Sequence, residues 1–282
     1  KTKESTAVRA LLDLARNGRT TSIRAAALRA LSDLGAPEGV ELWQQGVLDS
    51  AKEIRMACAR CLAVLGRAAD AKAVIQLLKD PEPDVAMEAL DCLGYFKEST
   101  EAIRTLHETL KATDEKTVLI ALDALGRIGN LSLSKPYLHQ LAGSAESTME
   151  IRRRVAEVLM SMGDGFGLDR LVDPLKQQVA KNPKDHAARI DLGRTYFEFT
   201  AYRRCLDHLE AAIKLPQLPE FDKIRANETM ARCHARLKNF TKAADALQRT
   251  GRSNDWRDLA NDPDFLEMTK DKRWTKYFGT GD

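Results

Sequence analysis

Residues 54–66 read IRMACARCLAVLG, and the first two thirds of the chain are copies of that frame. It opens on an aliphatic residue and then Arg, places small or apolar side chains four and five positions on, continues with Leu at eight and eleven, and closes on Gly. The same pattern returns at 23–35 (IRAAALRALSDLG), 85–97 (VAMEALDCLGYFK), 117–129 (TVLIALDALGRIG) and 151–163 (IRRRVAEVLMSMG). A recurrence every thirty-odd residues is the mark of a stacked array rather than of one globular core.

Each copy needs neighbours. The apolar stripe is too wide for one partner, so every such helix must be covered by a second helix of its own repeat and by the repeats on either side. The closing Gly predicts a left-handed C-terminal cap, and Gly94 and Gly126 predict close helix contact. Lys97 stands where the other copies have Gly, so the third corner is expected to differ. The second helices are expected at 37–48, 68–79, 101–111, 133–142 and 167–181, with Trp43 in the core.

On these residues the segment 1–182 resembles the HEAT repeats, which are armadillo-like. The resemblance implies an all-α fold, a right-handed α-solenoid whose second helices line a concave inner face. On that face Gln44, Lys72, Gln76, Arg104, Lys111, Lys135 and Gln140 are expected to be exposed. Arg24, Arg55 and Arg152 share the second position, and the family implies a structural hydrogen bond or ion pair for them. The first repeat reads as incomplete, since 6–17 looks like a second helix without its first, so the chain is expected to be a fragment of a larger protein.

Near Asn182 the pattern changes. In 183–251, Leu192, Gly193, Tyr196, Tyr202, Cys205, Leu209 and Ala212, then Met230, Ala231, His234, Phe240, Ala243 and Leu247, fall at spacings that resemble two tetratricopeptide repeats. With no Gly/Ser-rich linker at the junction, one shared helix is expected to join the arrays into a continuous solenoid. Segment 252–282 is expected to supply capping helices and a loose tail, with Asn261 or Asp262 capping a helix that has Pro263 in its first turn. The alignment turns Ile190, Arg194 and Phe197 of one unit and Arg225, Glu228, Arg232 and Arg236 of the other into a groove that suits an acidic peptide or a C-terminal carboxylate. A solvated face is the competing reading. The chaperone-tail clamp of the family does not carry over, because Ile190 and Arg194 stand where it has Lys and Asn.

Composition narrows the function. The 282 residues are 44% hydrophobic and 6% aromatic, with no run long and apolar enough for membrane insertion. The net charge of +3 arises within 183–282 and leaves 1–182 neutral, which argues against nonspecific nucleic-acid binding. Cys58, Cys61, Cys92, Cys205 and Cys233 read as small apolar filling without a metal pattern, and free thiols suit the cytoplasm.

No cofactor is expected. The HEAT-fold deoxyhypusine hydroxylases hold iron with several His-Glu pairs, and this chain has one, His107-Glu108. The expectation is a non-catalytic protein-protein interaction scaffold that takes a protein or an acidic peptide. Two alternatives stay open: nucleic acid or another anion at the Arg-rich groove, and a HEAT-fold lyase or cofactor-handling enzyme. Oligomeric state is not legible.

Overall fold

The computed structural model describes residues 2–129, 132–251 and 255–280, with side chains from Thr6 onward. The expected tail at 281–282 and the first residues of the C-terminal segment, 252–254, lie outside the described residues. Among the described residues the chain is an all-α solenoid without strands. It divides into two compact units between Arg170 and Leu171, inside a helix and upstream of the boundary expected near Asn182.

The first unit begins with α1 (Thr2–Asn17), packed against α2 (Thr21–Asp33), and continues as α3 (Val40–Gly46), α4 (Lys52–Leu65), α5 (Ala71–Gln76), α6 (Pro83–Cys92), α7 (Thr100–Thr109), α8 (Glu115–Ile128), α9 (Lys135–Gly143) and α10 (Met149–Ser161); α11 (Phe166–Lys181) contains the division between the units. The first helices of the five repeats are α2, α4, α6, α8 and α10. Short 3-10 turns extend α3 back to Pro37 and α5 to Ala68–Lys79, so the second helices lie where the spacing placed them. Pro174 stands inside α11, which is continuous through it and starts at Phe166.

The packing follows the frame. Ile54, Cys58, Ala59 and Leu62 of the defining copy are buried, as are Val85, Ala89 and Leu93 of the next. Along the second helices Trp43, Val74, Leu106, Leu138 and Val172 recur at one-repeat spacing, each without exposed surface. Trp43 is a core residue, and its indole N–H donates to the Leu28 carbonyl at 3.3 Å. Burying such side chains contributes about 1.5–3 kcal/mol each.

The helix ends divide as expected. Gly35, Gly66, Gly129 and Gly163 close their copies with φ between +61° and +73°. At the third copy α6 stops at Cys92 and a 3-10 turn, Leu93–Tyr95, leads to the buried Phe96. A Cβ on Gly94 would lie 2.7 Å from Ala124 Cα, so this glycine lets the 3-10 turn approach the α8 backbone. Gly126 corrects the parallel expectation: a Cβ there would meet Val158 at an ordinary 3.5 Å. We therefore expect Gly94→Ala to lower stability by about 1–3 kcal/mol and Gly126→Ala to leave it level or raise it, read from urea midpoints.

The second unit holds α12 (His186–Glu198) paired with α13 (Tyr202–Ile213), and α14 (Glu220–Arg236) paired with α15 (Phe240–Gln248). Leu192, Tyr196, Cys205, Leu209 and Ala212 form the first hairpin's contact, with Gly193 pressed against Leu209. After α15 come a 3-10 turn at Arg257–Leu259 and two one-turn helices, α16 (Leu266–Thr269) and α17 (Thr275–Phe278). Asp262 does not cap a helix. Its carboxylate accepts the Asp264 N–H at 2.9 Å, which turns the chain before α16 can start.

Candidate interaction surface

The two sides of the first unit treat their charges differently. On the first helices, Arg60 pairs with Glu88 of the next repeat through two hydrogen bonds, Arg127 of α8 binds both the carboxylate and the carbonyl of Asp91, and Arg154 reaches Asp123 at 2.5 Å. The second-position arginines are structural as well. Arg24 binds Asp49 and the Ala15 carbonyl, and Arg152 donates to the carbonyls of Ser144 and Ser147. Arg55 does most: its Nε and Nη2 hold Asp80 at 2.6 and 2.7 Å, while Nη1 donates to the carbonyls of Asp49 and Ser50. One side chain thus ties two successive inter-repeat turns together. The run Arg152–Arg154 is engaged the same way and offers no phosphate track.

The second helices carry a different device, which single-residue reading missed. Gln44 donates to Asp70 of the next repeat at 2.7 Å. His107, the matching residue two repeats on, bonds Ser134 at 2.7 Å and stacks on Tyr137 at 4.2 Å; His139, one repeat further, bonds Asp164 at 3.1 Å and stacks on Phe166 at 4.2 Å. These struts sit one residue after Trp43, Leu106 and Leu138, so the periodicity that located the core also locates them. Between Gln44 and His107, after Val74, the row has Ile75, which has no polar group to give.

Burial shapes how the struts titrate. His107 is 7% exposed, and desolvation lowers its pKa. Because the folded value lies below that of the unfolded chain, the stabilisation is complete above about pH 6.5 and is lost as pH falls below it. Asp164 is held below the ordinary carboxylate range chiefly by the Phe166 N–H, with His139 and Lys135 contributing. We expect the melting temperature to fall between pH 7.5 and 5.5, and the fall to be smaller in His107→Gln. Thermal melts at the two pH values decide it.

The expected inner-face residues are mostly where the sequence put them. Gln44, Lys72, Gln76, Arg104, Lys111 and Gln140 are exposed on or just after second helices. Lys135 is half-buried and pairs with Asp164 at 3.3 Å. Lys72, Arg104 and Lys111 have no ion pair among the described residues.

The arginine groove needs correcting. Arg232 binds Asp262 at 2.8 Å and Asp264 at 2.9 Å and lies over the Phe265 ring; Arg236 binds Asp264 at 2.6 Å. The chain's own segment therefore occupies the charge that an acidic peptide would use. Arg225 lies over Phe221, Ile190 is buried, and Phe197 packs against Tyr202. Glu228 is half-buried, and only Arg194 of the four arginines stands exposed without such a contact. The reason was invisible locally: Asp262 and Asp264 lie some thirty residues downstream.

The five thiols are buried. Desolvation raises the Cys61 pKa to about 11 and pushes Cys58 and Cys92 up as well. Cys205 and Cys233 approach to 3.2 Å across α13 and α14. Among the described residues no group of three His, Cys, Asp or Glu could hold a metal ion, and no helix is long and apolar enough to cross a membrane.

Residues 71–146 match the family model described as HEAT repeats. No curated protein matches the chain in sequence. Among solved structures, human deoxyhypusine hydroxylase in complex with glycerol is similar at 16% identity and a TM-score of 0.40, covering 99% of each chain. An engineered protein is similar at 16% identity and a TM-score of 0.34, over 85% of this chain and 97% of its own.

Proposed function

We propose that the chain is a non-catalytic scaffold that recognises another protein through the exposed face of its HEAT second helices. The observation that carries this reading is the division of charge. Arg60, Arg127 and Arg154 on the first helices are tied to carboxylates of neighbouring repeats, Arg29 being an exposed exception, whereas Lys72, Arg104 and Lys111 on the second helices are exposed and have no ion pair among the described residues. A preformed rigid face needs little ordering on binding, which favours recognition by many modest contacts. The histidines that a hydrolytic or metal chemistry would call on are engaged in packing: His107 and His139 bond and stack between repeats. Free thiols suit a reducing compartment, in keeping with the cytoplasm. The two hairpins of the second unit, with their tetratricopeptide-like spacing, offer a second surface of the same style.

Affinity capture tests the proposal. The wild-type chain is compared with a variant carrying Gln44→Ala, Lys72→Glu, Arg104→Glu and Gln140→Ala and with a control carrying Arg60→Ala on the first helices. Proteins recovered by wild type and control but lost from the variant support the reading. Equal recovery by all three overturns it.

A further inference from the structure

The row of struts has one gap, and the gap coincides with a groove. Where Gln44, His107 and His139 each reach across to the next repeat, Ile75 cannot, and between α5 and α7 a groove of about 570 Å³ opens. Its floor is apolar, formed by Ile75, Leu78, Met87 and Leu90, and Lys79 stands on its lip. Exposed cations stand beside it: Lys79 lines the groove, Lys72 and Arg104 lie outside its lining, and Lys111 lines the adjoining groove beside Leu141 and Ser147. Lys72 and Lys79 lie seven residues apart on the second helix of one repeat, and Arg104 and Lys111 repeat that spacing 32 residues on. Two helical turns span about 10 Å, and neighbouring helices lie about 8–10 Å apart, so the four cations mark the corners of a square about 10 Å on a side. None of the four has an ion pair among the described residues. Glu108, between Arg104 and Lys111, is the sole carboxylate lining the groove.

The equivalent corners elsewhere in the array do not reproduce this pattern. One repeat earlier they are Glu41 and Leu48, and one repeat later Pro136 and Gly143. The square is therefore a property of the second and third repeats and not of the frame.

We infer that this groove is the docking site for an extended acidic segment of a partner protein, with a bulky apolar side chain inserted between α5 and α7. The inference rests on the scaffold reading above and specifies its partner. An extended chain advances about 3.3 Å per residue, so acidic residues three apart match the 10 Å spacing of the cations. Between them an aliphatic or aromatic side chain meets Ile75, Leu78, Met87 and Leu90, a floor that a sugar-phosphate backbone would not use. Lysine and arginine ammonium and guanidinium groups then pair with carboxylates at a partly desolvated rim, where charge-assisted hydrogen bonds fix register.

The full chain is titrated with a labelled peptide of about twelve residues carrying Glu at every third position, one central Phe and otherwise Ser, followed by fluorescence anisotropy. The expected dissociation constant is on the order of 10 μM, weakened at least tenfold by K72E/K79E/R104E/K111E and about fivefold by Met87→Gln, with melting temperatures unchanged. Arg194→Glu in the second unit leaves it as it was. Equal binding of a peptide with Gln in place of every Glu, no binding of either, a change below twofold on charge reversal, or full displacement by dodecanoate overturns the inference, the last in favour of a fatty carboxylate. Capture that is lost on changing Gln44 and Gln140 but not the four cations leaves the scaffold reading standing and removes this inference alone.

Discussion

Asp80→Ala is expected to lower stability by about 3 kcal/mol, among the largest effects of any surface-loop substitution in this protein. The side chain of Asp80 is 4% exposed and that of Arg55 is 11% exposed, so removing the carboxylate leaves a guanidinium in a site with little water. Breaking a buried pair from one side typically costs 3–5 kcal/mol, more than the pair contributes as a whole, because the surviving charge keeps its desolvation penalty. Arg55 retains the carbonyls of Asp49 and Ser50, which places the estimate at the lower end of that range. Arg55→Ala should cost a similar amount for a different reason, since it frees two carbonyls and a buried carboxylate together.

The same pair sets an acid limit. The Arg55 hydrogen bonds hold the Asp80 pKa below its ordinary value. A depressed folded value means that the stabilisation is complete above about pH 4, the unfolded value, and is lost as pH falls through the folded one. The gap between the urea midpoints of wild type and Asp80→Ala should therefore be smaller at pH 3 than at pH 7. A wild-type advantage that survives unchanged at pH 3 would refute the assignment.

Phe265→Ala is the second large expectation, at about 3–5 kcal/mol of loss within the second unit. Phe265 is 1% exposed, packs against Phe278 and lies beneath the Arg232 guanidinium. Trp256, also fully buried, stacks on Tyr277 and Trp274 in the same cluster. The C-terminal segment has only one-turn helices, so side-chain burial and not helix propensity holds it. Hydrogen exchange should show 255–280 opening together in the variant while α2 to α10 keep wild-type protection. Arg232→Ala should cost less, about 1 kcal/mol, and its effect should shrink with salt, because that side chain is a third exposed and its ion pairs are screened. Rapid exchange of the Phe265 region in the wild type would mean that the arginines are free after all.

Two corrections show where sequence reading ends. Arg225, Arg232 and Arg236 share a helical spacing, and spacing alone suggested a basic groove. What neutralised two of them was an Asp-Pro-Asp turn far along the chain, and no local pattern announces which surface such a turn will meet. Gly126 taught the same lesson in reverse: a small residue in register with Gly94 implied a tight contact that the neighbouring Val158 does not make. In contrast the buried Trp43, the left-handed glycines and the changed third corner at Lys97 were all legible, because each follows from position within one repeat.

The sequence by itself determined the helical hairpins, their period, their core positions and the exposed residues of the second helices. These follow from apolar spacing and helix-end chemistry, which act over a few residues. Tertiary structure decided which charges are spent and which are free, the missing strut at Ile75, and the groove beside it. Those depend on distances between residues about 25–30 positions apart, and such distances exist only once neighbouring repeats have packed.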